Sequence, residues 1–301
     1  MAKKKRPVPL APPPEMRSRK RARKVTSLFH KLTRELAEAE LRDDQERIHI
    51  VKKHIDEMGG REEYQRASQL STKFHSTSKW VLKEIREKGW LNGIGKDKKS
   101  PLQILEVGAI NTELIDAARR TRRALQKDNN NEEKNQNDLL YNICVRAIDL
   151  NSMHSDIEEQ DFLKMPVLNE MGTYDVIVCS MVLNCVPEAC QRGTFLSLLY
   201  RQLKPGGLVF FTIPKLCLTQ SKYTNEKLVD EILQEGVGFV IESKKDTPKV
   251  QFWVLRRGTE DAEHRKNLEW KERWESTKII NRGKKYRNEF SIVLKREEVR
   301  R

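Results

Sequence analysis

The chain has 301 residues, 37% of them hydrophobic and 34% charged, and a formal net charge of +14. That length holds one α/β domain of ordinary size with helical extensions, rather than two full domains, and so polar a composition places long segments outside the core. No run approaches the ~18 consecutive apolar residues of a membrane span and the start lacks the apolar stretch of a secretory signal, so a soluble intracellular protein with no membrane partner is expected.

Residues 1–24 carry ten lysines and arginines against Glu15 alone. Two basic clusters flank a proline run that cannot build a helix, which predicts a disordered tail. Such clusters serve as nuclear or nucleolar addresses, or as non-specific contacts to RNA. Over residues 25–58, Leu28, Leu32, Leu36, Leu41, Ile48, Val51 and Ile55 recur at three-, four- and seven-residue intervals, predicting an amphipathic helix that Gly59-Gly60 ends. A second helix is predicted over about 64–88, and a loop at 89–101 closes a helical extension assigned to residues 25–98.

After Pro101 the pattern changes to short apolar runs separated by helical stretches: 102–108, 142–150, 173–183, 206–214 and 237–243. This alternation predicts an α/β domain over 99–258, a parallel sheet with helices on both faces. The polar stretch 126–138, rich in asparagine, cannot build core and is expected to be a disordered surface insertion. Residues 250–258, just before the charged extension 259–301, and 290–296 within it both read as strands, and either suits a terminal antiparallel strand. Between them a charged helix is predicted, with Trp270 and Trp274 one turn apart. Core packing is the expectation for both rings; stacking on RNA bases with Arg265, Lys271 and Arg273 is the alternative.

In an open α/β sheet the ligand lies beyond the carboxyl ends of the strands, which directs attention to the first strand-to-helix turn. Here it reads Glu106-Val107-Gly108-Ala109-Ile110-Asn111. A side chain at Gly108 would collide with a nucleotide-like ligand. Class I methyltransferases usually carry ExGxGxG at this turn; Glu106 and Gly108 are kept, while Ile110 and Thr112 replace the later glycines. Asp149 closes the second strand, where a carboxylate can accept both ribose hydroxyls. It lies 41 residues after Gly108, against about 20 in dinucleotide folds, and the polar insertion absorbs the excess. Asp161-Phe162 resembles the acidic–aromatic pair that holds an adenine, although Asp161 reads equally as a helix cap. A fourth strand beginning Tyr174-Asp175-Val176-Ile177 leads into a turn, 180–184, that faces the transferable methyl and offers Ser180 and Asn184 as catalytic candidates. The turn lacks the D/N-P-P-Y/F signature of exocyclic-amine methylation. A helix, then Lys204-Pro205-Gly206-Gly207, then a fifth strand completes the pattern, which favours S-adenosylmethionine over a nicotinamide cofactor. Five cysteines without paired spacing argue against a zinc or disulfide framework, and six scattered histidines, His30 among them, are expected to be solvated or to cap helices rather than to catalyse.

The chain resembles the fungal nucleolar 25S ribosomal RNA adenine-N1 methyltransferases. The likeness rests on Gly59-Gly60 followed by Tyr64-Gln65-Arg66-Ala67-Ser68, on LEVGAIN at 105–111, on Ile148-Asp149-Leu150-Asn151-Ser152, and on 175–187 with the KPGG turn, and it covers about residues 55–255. The resemblance implies an enzyme that uses S-adenosylmethionine, with Gly108 and Asp149 as the contacts carried over, to methylate ribosomal RNA; Glu106, Asp161 and Phe162 are further cofactor candidates from the motifs above, and a monomer acting on a pre-60S particle without a metal is expected. Adenine N1 carries its own lone pair at neutral pH, so attack on a sulfonium methyl needs no general base. The base must be unpaired or flipped out, since N1 lies on the Watson–Crick edge. Animal relatives look like S-adenosylmethionine sensors acting through protein partners; the basic tail favours RNA over that alternative.

Overall fold

The computed structural model describes residues 16–72, 77–88, 101–128, 143–152, 154–169, 171–258 and 269–299. Most of the tail, the loop after residue 88 and most of the polar insertion lie outside the described residues, as does the first part of the charged stretch expected to be helical. The chain divides into two units, Met1–His75 and Ser76–Arg301.

The first unit holds three helices, α1 (Arg19–Leu41), α2 (Gln45–Glu57) and α3 (Gly60–Thr72). Helix α1 starts inside the segment expected to be tail: Ser18 caps it by accepting the Arg21 amide, and Met16, Ala22, Ala67 and Leu70 form a small core between α1 and α3. The single helix expected over 25–58 is broken at Asp43-Asp44. Asp43 takes a left-handed φ of 54°, and the Asp44 carboxylate captures the Arg47 amide to start α2. Gly59 and Gly60, at φ 94° and 61°, end α2 as expected. The Phe29 ring stacks on Tyr64 at 4.4 Å, with His30 edge-on to Tyr64 at 5.2 Å. His30, expected to be solvated, is instead pushed down to about 4 by burial and then by Arg34 and Arg61.

In the second unit, α4 (Thr77–Lys88) precedes β1 (Leu102–Val107), α5 (Glu113–Asp128), β2 (Ile143–Asp149), a two-residue β3 (Glu158–Glu159), β4 (Tyr174–Ser180), α6 (Ala189–Gln202), β5 (Leu203–Pro214), β6 (Phe239–Asp246) and β7 (Val250–Arg257). These form one seven-stranded sheet in the order β3-β2-β1-β4-β5-β7-β6, with β7 antiparallel to both neighbours. This is the sheet of the class I methyltransferases, the α/β fold expected from sequence. Alternate strand residues serve opposite faces. Leu105, Ile177, Cys179, Val209, Phe211 and Trp253 pack under α6. Ile104, Val176, Val178, Phe210 and Val254 pack under α4 and α5, through Val81, Ile85 and Leu114. Burial on both faces explains why these strands read as unbroken apolar runs.

The last antiparallel strand is β7; residues 290–296 do not enter the sheet. Residues 290–294 run along α6, with the Val293 amide donating to the Ala189 carbonyl and Phe290, Ile292, Val293 and Leu294 buried, and Arg296 begins a short helix, Arg296–Val299. The predicted charged helix is also corrected: from Glu269 onward it is irregular chain with one tight turn, Glu272–Trp274. Its side chains are committed to the short helix Glu226–Glu231 and the helical stretch Ile232–Val237 after it: Trp274 donates to Glu231 at 2.7 Å, and Arg273 and Lys271 pair with Glu231 and Glu235. Trp274 is core, as expected, and Trp270 meets it edge-on at 5.2 Å.

Candidate active site

The carboxyl ends of β1, β2 and β4 meet along one edge, and each carries a residue singled out from sequence. The turn after β1 is closed by the Gly108 and Ala109 amides, both donating to the Ile148 carbonyl of β2, at 2.8 and 3.0 Å. Gly108 sits at φ 72°, and a Cβ there would stand 2.4 Å from Cγ2 of Val182. The glycine therefore has a role that sequence did not disclose: it lets the turn after β4 close against the turn after β1. Asn111 accepts the Glu113 amide and so starts α5.

Asp149 ends β2 with one carboxylate oxygen accepting the Asn151 amide at 3.0 Å, which fixes the direction of its side chain. Glu106, near the carboxyl end of β1, is half-buried, and its buried Oε2 has no hydrogen-bond partner among the described residues. Burial, and after it the neighbouring Glu113 carboxylate, push Glu106 up to about 7. A raised carboxyl pKa stabilises the fold below its unfolded value of 4.5, and that contribution is lost as pH rises through 7. Glu106→Gln should therefore match the wild type in melting temperature at pH 4.5 and exceed it at pH 8 by the equivalent of about 3 kcal/mol. Equal melting temperatures at pH 8 would show that the buried carboxyl carries no such cost.

The turn after β4 is irregular in a specific way. Met181 has a left-handed φ of 61°, its amide donates to the Thr212 carbonyl at 3.0 Å, and a tight turn, Leu183–Cys185, follows. A non-glycine residue held in this conformation at a strand tip marks stored strain of the kind found where ligands are held. Asn184 follows, its amide nitrogen 3.4 Å from the Cys185 sulfur and its Oδ1 buried without a hydrogen-bond partner among the described residues. Ser180 is less available than expected. Its hydroxyl is bonded to Thr77 at 2.8 Å and Thr212 at 3.0 Å, and it joins the start of α4 to β4 and β5.

Asp161 accepts the Leu163 amide at 3.0 Å and is the cap of the turn Phe162–Lys164. Phe162 is corrected: it is buried in the core with its ring 4.6 Å from Phe195, so its face is taken by protein, not offered to an adenine. Two sequence signatures prove to be one contact. Lys204 of the KPGG turn pairs with both carboxylate oxygens of Asp175 at 2.9 and 3.0 Å, while Asp175 also accepts the Gln103 amide at 2.8 Å. The pair joins the starts of β1, β4 and β5, at the edge opposite the site.

Arg192 was not singled out from sequence. Its buried guanidinium donates to the Val186 carbonyl at 2.9 Å, to Pro187 at 2.8 Å and to Ser291 at 2.6 Å, and lies 4.9 Å over the Phe290 ring. It thereby fastens the far side of the Asn184 turn to the C-terminal segment. The one local signal was an arginine inside an otherwise apolar helix face. Among the described residues, no group of three or more His, Cys, Asp or Glu side chains could hold a metal ion.

The residues at this edge fit S-adenosylmethionine: the buried Oε2 of Glu106 is an acceptor with no donor among the described residues, and Asp149 presents a carboxylate at the strand tip. Over residues 49–292 the chain matches the family described as Bmt2, 25S rRNA (adenine(2142)-N(1))-methyltransferase. It is 28% identical over 211 residues to the 25S rRNA (adenine(2142)-N(1))-methyltransferase of Saccharomyces cerevisiae, covering 68% of this chain and 54% of that one. It is 27% identical over 254 residues to the 25S rRNA adenine-N(1) methyltransferase of Schizosaccharomyces pombe, covering 82% of this chain and 81% of that one. The match thus spans about half the length of the Saccharomyces protein. The N-methyltransferase NodS from Bradyrhizobium japonicum WM9, solved with S-adenosyl-l-homocysteine, is similar with a TM-score of 0.35 and 14% identity, over 61% of this chain and 89% of that one.

Proposed function

The chain belongs to the Bmt2 family of 25S rRNA (adenine-N1)-methyltransferases, and on that premise we propose that it transfers a methyl group from S-adenosylmethionine to N1 of an adenine in large-subunit ribosomal RNA. The observation that carries this reading is the family match over residues 49–292. We assign the finer features to the same reading: action on a pre-60S particle in the nucleolus, with the basic clusters of residues 1–24 as the address, as a monomer without a metal.

The bound sulfonium would supply an electrophilic methyl; the chain's residues have the tasks of binding, orienting and excluding water. Asp149 would accept the ribose hydroxyls, Glu106 the methionine ammonium, and Gly108 would keep the turn close to the cofactor, with Asp161 near the adenine. Ionised Glu106 suits a cationic partner, which offsets the burial that raises its pKa. On the acceptor side, adenine N1 would attack the methyl with its own lone pair, so no side chain would have to remove a proton. The exocyclic amine next to N1 is a donor, and the buried, unpartnered Oδ1 of Asn184 is an acceptor of matching kind. Asn184 would hold the Watson–Crick edge in register, while Ser180 supports the turn through Thr77 and Thr212.

Cells lacking the protein should lose N1-methylation at one adenine of 25S rRNA. Wild-type protein should restore it, whereas Asn184→Ala should do so about tenfold more slowly with unchanged cofactor affinity. An unaltered N1-methyladenosine content in those cells would refute the assignment.

A further inference from the structure

The loop 278–287 lies between the buried Trp274 and the segment that Arg192 anchors. It contains Lys278, Arg282, Lys284, Lys285 and Arg287, with no acidic residue between them. All five are exposed, and among the described residues none makes an ion pair. This differs from the cations around it: Lys222 at the loop's base pairs with Glu289, and Lys271 and Arg273 pair with Glu235 and Glu231. The loop is nevertheless held by its backbone. The Lys222 carbonyl accepts the Ile280 and Asn281 amides at 2.9 and 3.0 Å, Asn288 exchanges bonds with Gln220 and Lys222 at 2.9 Å each, and the Asn281 side chain donates to Ser221 and Thr224. Within the loop Arg287 donates to the Lys284 carbonyl, and Lys285 lies 5.7 Å over the Tyr286 ring.

Its position follows from the chain. Gln220–Lys222, which anchors the loop, comes soon after the carboxyl end of β5, and β5 lies beside β4 in the sheet. Ser291, four residues beyond Arg287, shares the Arg192 guanidinium with Val186 and Pro187, directly after the Asn184 turn. Four residues span at most about 14 Å when extended. The loop is thus tied to the edge where the acceptor must enter.

We propose that loop 278–287 is a docking surface for the phosphate backbone of the RNA flanking the target adenine. The inference rests on the reading that the acceptor is RNA. An ordered loop of uncompensated cations gains by releasing counterions from a polyanion, whereas ion-paired surface cations must first break their pairs. Its place beside the Asn184 turn sets which strand of the RNA is held as the base is presented.

The test uses the full chain, unmethylated 25S rRNA and a Lys284→Gln/Lys285→Gln/Arg287→Gln variant. Binding to the RNA, measured over a range of salt concentrations, should weaken in the variant. The slope of log affinity against log salt should fall by about two, with S-adenosylmethionine affinity and melting temperature unchanged. A variant carrying Lys284→Arg/Lys285→Arg should keep the wild-type slope. Wild-type slope and affinity in the glutamine variant would overturn the proposal, and would leave the loop to an acidic protein surface. Binding is read independently of transfer, so absence of methylation by the wild type would refute the enzymatic reading instead.

Discussion

Replacing Gly193 by alanine should destabilise the second unit by about 3–5 kcal/mol, although alanine in place of glycine normally strengthens a helix by up to about 1 kcal/mol. The reason is a backbone in the way. A Cβ at position 193 would lie 1.9 Å from the Val293 carbonyl oxygen and 2.8 Å from its carbon. Neither is a flexible side-chain end, so the segment 288–295 must move off α6. Phe290, Ile292, Val293 and Leu294 are buried there, and even partial exposure of side chains worth about 1.5–3 kcal/mol each accounts for the loss. The displaced segment would also take the Ser291 carbonyl away from Arg192, loosening Val186 and Pro187 after the Asn184 turn. Urea unfolding of the variant measures the effect, and a midpoint equal to or above the wild type would contradict the packing described.

A second large effect is expected at Asp149. Alanine there should weaken S-adenosylmethionine binding by about 2–4 kcal/mol, roughly thirty- to a thousand-fold, through loss of charge-assisted bonds to the ribose. One of its oxygens also accepts the Asn151 amide, so alanine alone would not separate binding from turn formation. Asparagine does. Its Oδ1 can still accept that amide while its Nδ2 replaces the second acceptor with a donor. Asp149→Asn should therefore keep the wild-type melting temperature and lose affinity nearly as alanine does. Calorimetric titration decides, and near wild-type affinity in the asparagine variant would confine Asp149 to shaping the turn.

What the sequence made legible was local. Strands β4 and β5 stood out because burial on both faces leaves no polar alternation, and Gly108 and Asp149 stood out because strand tips of an open sheet need such residues there. The break between α1 and α2 was also written locally, in Asp43-Asp44, but apolar residues at helical spacing on both sides concealed it. Other features depend on partners far along the chain. Arg192 meets Ser291 across 99 residues, Thr77 meets Ser180 across 103, and Trp274 meets Glu231 across 43. Periodicity carries no information about such pairings. Residues 290–294 have strand composition because they are buried, yet β5 is already paired by β4 and β7, so the segment covers α6 instead. Phe162 looked like a ligand-facing aromatic for a similar reason: its neighbour in sequence is acidic, while its neighbour in space is Phe195.

The most direct measurement is single-turnover methyl transfer by the purified chain from labelled S-adenosylmethionine to unmethylated 25S rRNA, with the modified nucleoside identified after digestion. The account predicts label in N1-methyladenosine alone, at one position, and its loss in Asp149→Asn. Tight S-adenosylmethionine binding with no label in the RNA, as a sensor would give, or label on an exocyclic amine, would contradict it.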